Sequence, residues 1–325
     1  MTTTSAEAIA LVTAAHGPRD LFGGREPRRV YRRLARLLHP DLAPGPEAAR
    51  AFARLAGLWA EHTAEHTGHT PADDLTGTVL GTHRVGPVFR EGTTAVLYGC
   101  AADTLLKIPR SPADNDLMRR EAQALRTIEQ EGDPVLLPYV PRLVDSLRHG
   151  PGGAQRRANV ISRVPDGFVT LAEITRRRPV LDPRDAAWIW RRLLVAIGAA
   201  HRAGVVHGAV FGHHVLVHPV DHGLVLVDWS QSVPLGGPLK VLVARHRDDY
   251  PPEVLTGAPA TEALDIRLAT RCVSALMGDR VPGAISRFVR GSLAAPPRDA
   301  WGLLAELDEL LDDLYGPRTY RPLHL

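Results

Sequence analysis

The sequence predicts an α+β protein in which a small helical N-terminal unit precedes a body that opens β-rich and closes α-rich. Three observations carry this reading. Residues 5–62 place apolar side chains at helical spacing. Residues 83–163 show short apolar runs broken by turn residues, with one helical stretch among them. From residue 183 onward the helical period returns. The 325 residues allow two or three folding units.

Taking the elements in order, the first amphipathic helix covers residues 28–38. Val30, Tyr31, Leu34, Leu37 and Leu38 fall on one face, and Pro27 opens it at the first helical position. A second helix over residues 47–62 aligns Phe52, Leu55, Leu58 and Trp59. Between them lies the loop His39-Pro40-Asp41-Leu42-Ala43-Pro44-Gly45-Pro46. The polar stretch His66 to Asp74, with Gly and Pro and no apolar period, reads as a linker. Strands are then expected over residues 83–88, 94–98 and 104–108, a helix over 118–130 and a strand over 159–163. Helices follow over 183–203, 262–277 and 298–315. The expected divisions are a helical unit at 1–65, a linker at 66–81, a β-rich lobe at 82–158 and an α-rich lobe at 159–325.

Composition excludes several classes. The hydrophobic share of 44% and charged share of 23% are those of an ordinary globular chain. A net charge of +3 gives no basic body for nucleic acid, and the run Arg176-Arg177-Arg178 reads as a solvated turn. Cys100 and Cys272 form neither a disulfide framework nor a zinc ribbon, which fits a reducing compartment. The N-terminal residues lack the basic and apolar regions of a signal peptide. No apolar run reaches the length of a membrane span. A cytoplasmic protein is therefore expected, and abundant Ala, Arg, Leu and Pro suggest a GC-rich, bacterial genome.

The stretch from Val30 to Asp41, with its helices on both sides, resembles the J-domain of the DnaJ co-chaperones. The resemblance implies an antiparallel helix hairpin capped by His39, Pro40 and Asp41. It also implies a basic face (Arg28, Arg29, Arg32, Arg33, Arg36) that docks on an acidic DnaK-class chaperone and stimulates its ATPase. A row of guanidiniums is suited to steering and orienting such a partner. The same tripeptide also serves simply to end a helix, and the arginines then form a solvated face.

From residue 82 the chain is similar to the protein kinase superfamily, with its landmarks in order. Arg90-Glu91-Gly92-Thr93-Thr94-Ala95 stands at the glycine-rich loop and keeps only Gly92 of its glycines. Fewer glycines mean fewer amides close to a triphosphate. Leu105-Leu106-Lys107-Ile108 matches the strand of the phosphate-binding lysine, and Glu121 its ion-pair partner on the next helix. His207-Gly208-Ala209, followed by His214, matches the catalytic loop, and Asp228-Trp229-Ser230 matches the turn bearing the metal carboxylate. Gly208 stands at the arginine position, Ala209 at the catalytic aspartate and His214 at the magnesium-binding asparagine. Asp265 stands where a helix aspartate holds the catalytic loop, and Glu253 and Arg298 where a buried ion pair is expected.

Alanine has no group to orient a substrate hydroxyl, and imidazole suits magnesium poorly. The resemblance therefore implies a pseudokinase: no catalytic residue, a nucleotide grip from Gly92, Lys107, Glu121 and Asp228, and ATP as cofactor. Magnesium would be held weakly at Asp228. An unidentified protein client is implied beside the DnaK-class partner. The alternative is an atypical Ser/Thr kinase-like phosphotransferase in which His207, His213 or His214 replaces the base, and a third reading is a scaffold without either activity. The histidines at 207, 213, 214, 218 and 222 match no zinc spacing.

Overall fold

The computed structural model describes residues 4–15, 17–23, 26–38, 43, 45–66, 75–101, 103–239, 242–278 and 281–325. The chain separates into two compact units, residues 1–74 and 75–325.

Among the described residues of the first unit four helices form: α1 (Ser5–Ala14), α2 (Pro18–Phe22), α3 (Pro27–Leu37) and α4 (Pro46–His66). Thr4 and Glu7 close a capping box on α1, each side chain accepting from the other's backbone N–H. Arg54 of α4 donates to the carbonyls of Val12 and Ala15, satisfying acceptors that the end of α1 leaves open. Val12, Phe22, Leu34, Leu38 and Leu55 are buried in a core of their own. The Trp59 ring stacks on Tyr31 at 4.7 Å and meets the edge of Phe22 at 5.0 Å. The apolar stripe of α3 thus turns inward, leaving Arg29, Arg32, Arg33 and Arg36 exposed. His39, Pro40 and Asp41, which carry the J-domain resemblance, lie outside the described residues, as do residues 67–74 of the expected linker.

The second unit opens with β1 (Val79–Leu80), β2 (His83–Glu91), β3 (Ala95–Cys100), β4 (Thr104–Pro109), β5 (Leu143–His149) and β6 (Arg156–Ser162). They form one antiparallel sheet in the order β1-β2-β3-β4-β6-β5. Helix α5 (Asn115–Glu131) joins β4 to β5 and turns Leu117, Met118, Glu121, Ala122, Leu125 and Ile128 inward. A carboxylate thus stands where the helical period asks for an apolar side chain. Strand β5 was not foreseen, because Asp145, Ser146 and Arg148 interrupt its apolar pattern.

The rest of the unit is helical around short strands: β7 (Val169–Thr170), α6 (Leu171–Arg177), α7 (Pro183–Arg202), β8 (Val205–Val206), β9 (Val215–His218), β10 (Gly223–Leu226), β11 (Val233–Pro234), α8 (Pro252–Leu255), α9 (Glu262–Met277), α10 (Gly283–Ala294) and α11 (Ala300–Tyr315). Asp182 caps α7 by accepting from the Arg184 N–H, and Pro183 fills the first helical position. Helix α7 packs against α9 and α11 and buries Ile189, Trp190, Leu193, Leu194 and Ile197. Where α11 crosses it, a Cβ at Gly198 would come within 2.7 Å of the Trp301 indole nitrogen, so glycine is needed for the approach.

The expected buried pair of Glu253 and Arg298 does not form. Both residues are exposed, and no ion pair joins them among the described residues. Water solvates both charges there, and a pair between exposed side chains would add little.

Trp190 is fully buried against the edge of Phe288, yet its indole N–H finds no acceptor. Trp190→Ala is expected to lower stability by about 3–5 kcal/mol in urea denaturation. Trp190→Phe keeps most of the ring area and removes the orphaned donor, so its loss should stay below about 1.5 kcal/mol.

Candidate functional site

Strand β4 carries Lys107 to a position only 5% exposed. Its ammonium donates to Glu121 Oε1 at 2.7 Å and to Asp228 Oδ1 at 2.7 Å. Burial alone would lower the pKa of this amine, but the adjoining Asp228 and Glu121 carboxylates more than offset it, and the net shift is upward. Asp228 answers in the opposite sense: burial pushes its carboxyl up, and Lys107 and His214 together hold it well below the usual range.

A residue missed in the sequence completes the clamp. Asn159, fully buried on β6 in register with Lys107, donates to Glu121 Oε2 at 3.1 Å and to the Met118 carbonyl at 2.8 Å. Its own oxygen accepts from Ser146 Oγ at 3.0 Å. The only sequence signal was one amide inside the apolar run Ala158-Asn159-Val160-Ile161.

Residues 207–214, which follow β8, form a loop held by Asp265 of α9. Oδ2 of that buried carboxylate accepts from the His207 backbone N–H at 2.7 Å, and Oδ1 from that of Gly208 at 2.8 Å. The His201 ring reaches the same carboxylate at 3.0 Å. Gly208 has φ +74°, and a Cβ there would press within 3.0 Å of the Gln231 carbonyl. The backbone therefore selects glycine on two grounds, and the guanidinium expected at this position has no room. Tyr250 donates to the Gly208 carbonyl at 3.0 Å, and burial pushes its hydroxyl up to about 12.

His207 is fully buried, and both ring nitrogens are engaged. Nε2 donates to the Val227 carbonyl at 3.1 Å, while Nδ1 accepts from the Ala209 N–H at 3.2 Å. Burial lowers its pKa to about 4. Ala209 is fully buried within the hydrophobic core and brings only a methyl group to the loop. Its carbonyl accepts from His214 Nδ1 at 2.8 Å, and His214 Nε2 lies 3.2 Å from Asp228 Oδ2.

Asp228 takes up the left-handed conformation, φ 62° and ψ 68°, which is strained for a residue with a Cβ. Ser230 Oγ donates to its Oδ1 at 2.7 Å. The neighbouring Trp229 is buried, donates to the Leu226 carbonyl at 2.9 Å and packs edge-on to His207 at 4.6 Å. The structure therefore gathers Lys107, Glu121, His207, Ala209, His214 and Asp228 into one neighbourhood.

Gly92 lies in the turn between β2 and β3. Its N–H donates to the Ala95 carbonyl at 2.9 Å, and its carbonyl accepts from Arg110 Nε at 2.9 Å. Its polar groups are spent within the turn, which leaves a weaker phosphate cradle than a glycine-rich loop provides. Beside it Arg163 lies over the Phe89 ring at 5.3 Å.

His213 sets its ring edge-on to His214 at 3.9 Å and stacks with His246 at 5.3 Å, whereas the other two histidines lie apart. His218 pairs with Asp221, and His222 stacks on Trp188 at 4.0 Å. Among the described residues no group of three or more His, Cys, Asp or Glu side chains could hold a metal ion.

A family model described as the lipopolysaccharide kinase (Kdo/WaaP) family matches residues 101–234, the stretch from just before Lys107 to just beyond Asp228. A solved structure described as vaccinia related kinase 3 superposes with a TM-score of 0.58 at 14% identity, covering 80% of this chain and 96% of that one. The body has a protein kinase-like fold. Its antiparallel sheet lobe and helical lobe follow that architecture, and proteins of this kind generally bind ATP and magnesium. No helix among the described residues is long and apolar enough to cross a membrane.

A neutral buried histidine ties stability to pH. The unfolded ring takes up a proton near pH 6.5, whereas the folded ring resists until about 4. The unfolded state therefore binds more protons in that window, and stability falls as pH drops from about 6.5 to 4 by up to about 3 kcal/mol. Urea denaturation across this range should show the loss for the native chain and a flatter profile for His207→Gln. An unchanged slope in the variant would assign the effect to other groups.

Proposed function

We propose that the chain is a pseudokinase adaptor: its kinase-like body binds ATP without transferring phosphate efficiently, and its N-terminal unit serves as a J-domain-type co-chaperone. The observation that carries the first half is the pairing of an intact Lys107–Glu121–Asp228 clamp with a buried methyl group at Ala209. A nucleotide needs the ammonium to meet its phosphates, and Glu121 keeps that ammonium in place and charged. Phosphoryl transfer further needs a group to orient the attacking hydroxyl, and Ala209 supplies none.

The donor set fits magnesium poorly. Asp228 Oδ1 already accepts from Lys107 and Ser230, Oδ2 faces His214, and imidazole replaces the oxygen ligand a hard cation prefers. We accordingly expect binding of ATP itself. In calorimetry, ATP should bind with an affinity that changes less than about threefold when EDTA replaces magnesium, and should lose at least about tenfold in Lys107→Ala. A well-folded sample that binds no ATP would retire the nucleotide reading.

A second reading, a phosphotransferase, draws support from the match to a family described as lipopolysaccharide kinases. Positioning and charge carry most of phosphoryl transfer, so loss of the aspartate slows the reaction without forbidding it. His207 and His214 commit both ring nitrogens to neighbours, so neither stands ready as a base in the arrangement seen. Incorporation of labelled phosphate that depends on Lys107 and Asp228 would favour it over the adaptor.

The co-chaperone half is supported by the exposed Arg29, Arg32, Arg33 and Arg36 on α3, followed by His39-Pro40-Asp41. Opposite charge on a DnaK-class ATPase would guide docking, and a client would engage the body. The chain should raise the steady-state ATPase rate of such a chaperone, and Asp41→Asn should abolish the increase. Stimulation that survives the substitution would sink the co-chaperone assignment.

A further inference from the structure

Away from Lys107, the sheet lobe holds a cavity of about 470 Å³ lined by Arg119, Arg148, Arg157, Asn115, Asp116 and Gln155. Its arginines come from three elements: Arg119 from α5, Arg148 from β5 and Arg157 from β6. Arg148 and Arg157 stand directly opposite each other in the antiparallel register, a placement that destabilises a sheet when the charges are alike.

Few anions offset this concentration of charge. Arg119 reaches Asp116 at 3.0 Å, in a pair that is largely solvent-exposed. Among the described residues the side chain of Arg148 has only the neutral Gln155 oxygen, at 3.4 Å, and that of Arg157 only the Ser146 hydroxyl, at 3.2 Å. Partial burial, together with Arg148, Arg119 and Arg126, lowers the pKa of Arg157.

The frame around these arginines is fixed. Asn115 accepts from the Arg157 backbone N–H at 2.6 Å and donates to the Gln155 carbonyl at 2.8 Å, tying the start of α5 to β6 and the turn before it. We infer that this cavity is a phosphate-binding pocket in which Arg119, Arg148 and Arg157 grip one phosphate group. A phosphate dianion offers tetrahedrally placed acceptors to several guanidinium forks at once and relieves their mutual repulsion. The same helix carries Arg119 on its exposed side and Glu121 on its buried side, so a bound phosphate would also hold α5 against the sheet.

The test is calorimetry with inorganic phosphate on the full chain at constant ionic strength, with O-phosphoserine as competitor. We expect a Kd of about 1 mM or tighter. Arg148→Gln and the double variant Arg148→Gln/Arg157→Gln should each weaken binding at least about tenfold. Lys107→Ala should leave it within about twofold, because the pocket lies outside the clamp. Competition by O-phosphoserine would assign the pocket to phosphate carried on a side chain, and its absence to free phosphate. No measurable binding, binding unaltered in Arg148→Gln, or binding lost in Lys107→Ala would each overturn the inference. Arg148 is exposed, so its substitution tests the pocket even if the double variant fails to fold.

Discussion

One ammonium group joins the parts of the body on which its chemistry rests. Lys107 reaches from the sheet to Glu121 on the helix above and to Asp228 on the turn below, at 2.7 Å in both directions. A buried cation of this kind is tolerated only because carboxylates surround it, since desolvation costs several kcal/mol per ion. Removing either carboxylate would leave a charge without adequate compensation. Asn159 extends the network by binding the second oxygen of Glu121, so the polar cluster is satisfied inside an otherwise apolar lobe.

A second fixed point lies in the helical lobe. Asp265 spends both carboxylate oxygens on the backbone of His207 and Gly208, which sets the path of the loop whatever side chains it carries. Tyr250 and the His207 ring secure the same loop from other sides. The body has a protein kinase-like fold, and the backbone of this loop is fixed from three sides. None of these contacts uses the side chain at 209, which is a buried methyl group.

Much of this was legible in the sequence, and the limits have physical causes. Lys107, Glu121 and Asp228 each appear as a charge at the edge or within an apolar run, and their order along the chain placed them in a kinase-like frame. The helix over residues 262–277 and the long helix from Pro183 were read closely, because their period is regular and their starts carry Thr261 or Asp182 with Pro183. Strand β5 escaped because it is half polar, and α10 because Gly283, Ser286 and Gly291 dilute its period. Asn159 gave too faint a signal, since one amide in a strand says nothing about which helix it faces. The Glu253–Arg298 pair failed for the opposite reason: the resemblance supplied a contact that the local exposure of both residues does not require.

Ala209 is enclosed on every side. Its methyl lies in the core, its N–H is taken by His207 and its carbonyl by His214. A carboxylate introduced at this position would have to enter an apolar environment, and burial would disfavour its ionised form. Gly208 beside it has positive φ and lies close to the Gln231 carbonyl, so any side chain there would be strained. His214 bridges the loop to Asp228, which in turn accepts from Lys107, so the buried loop and the buried ammonium belong to one polar network.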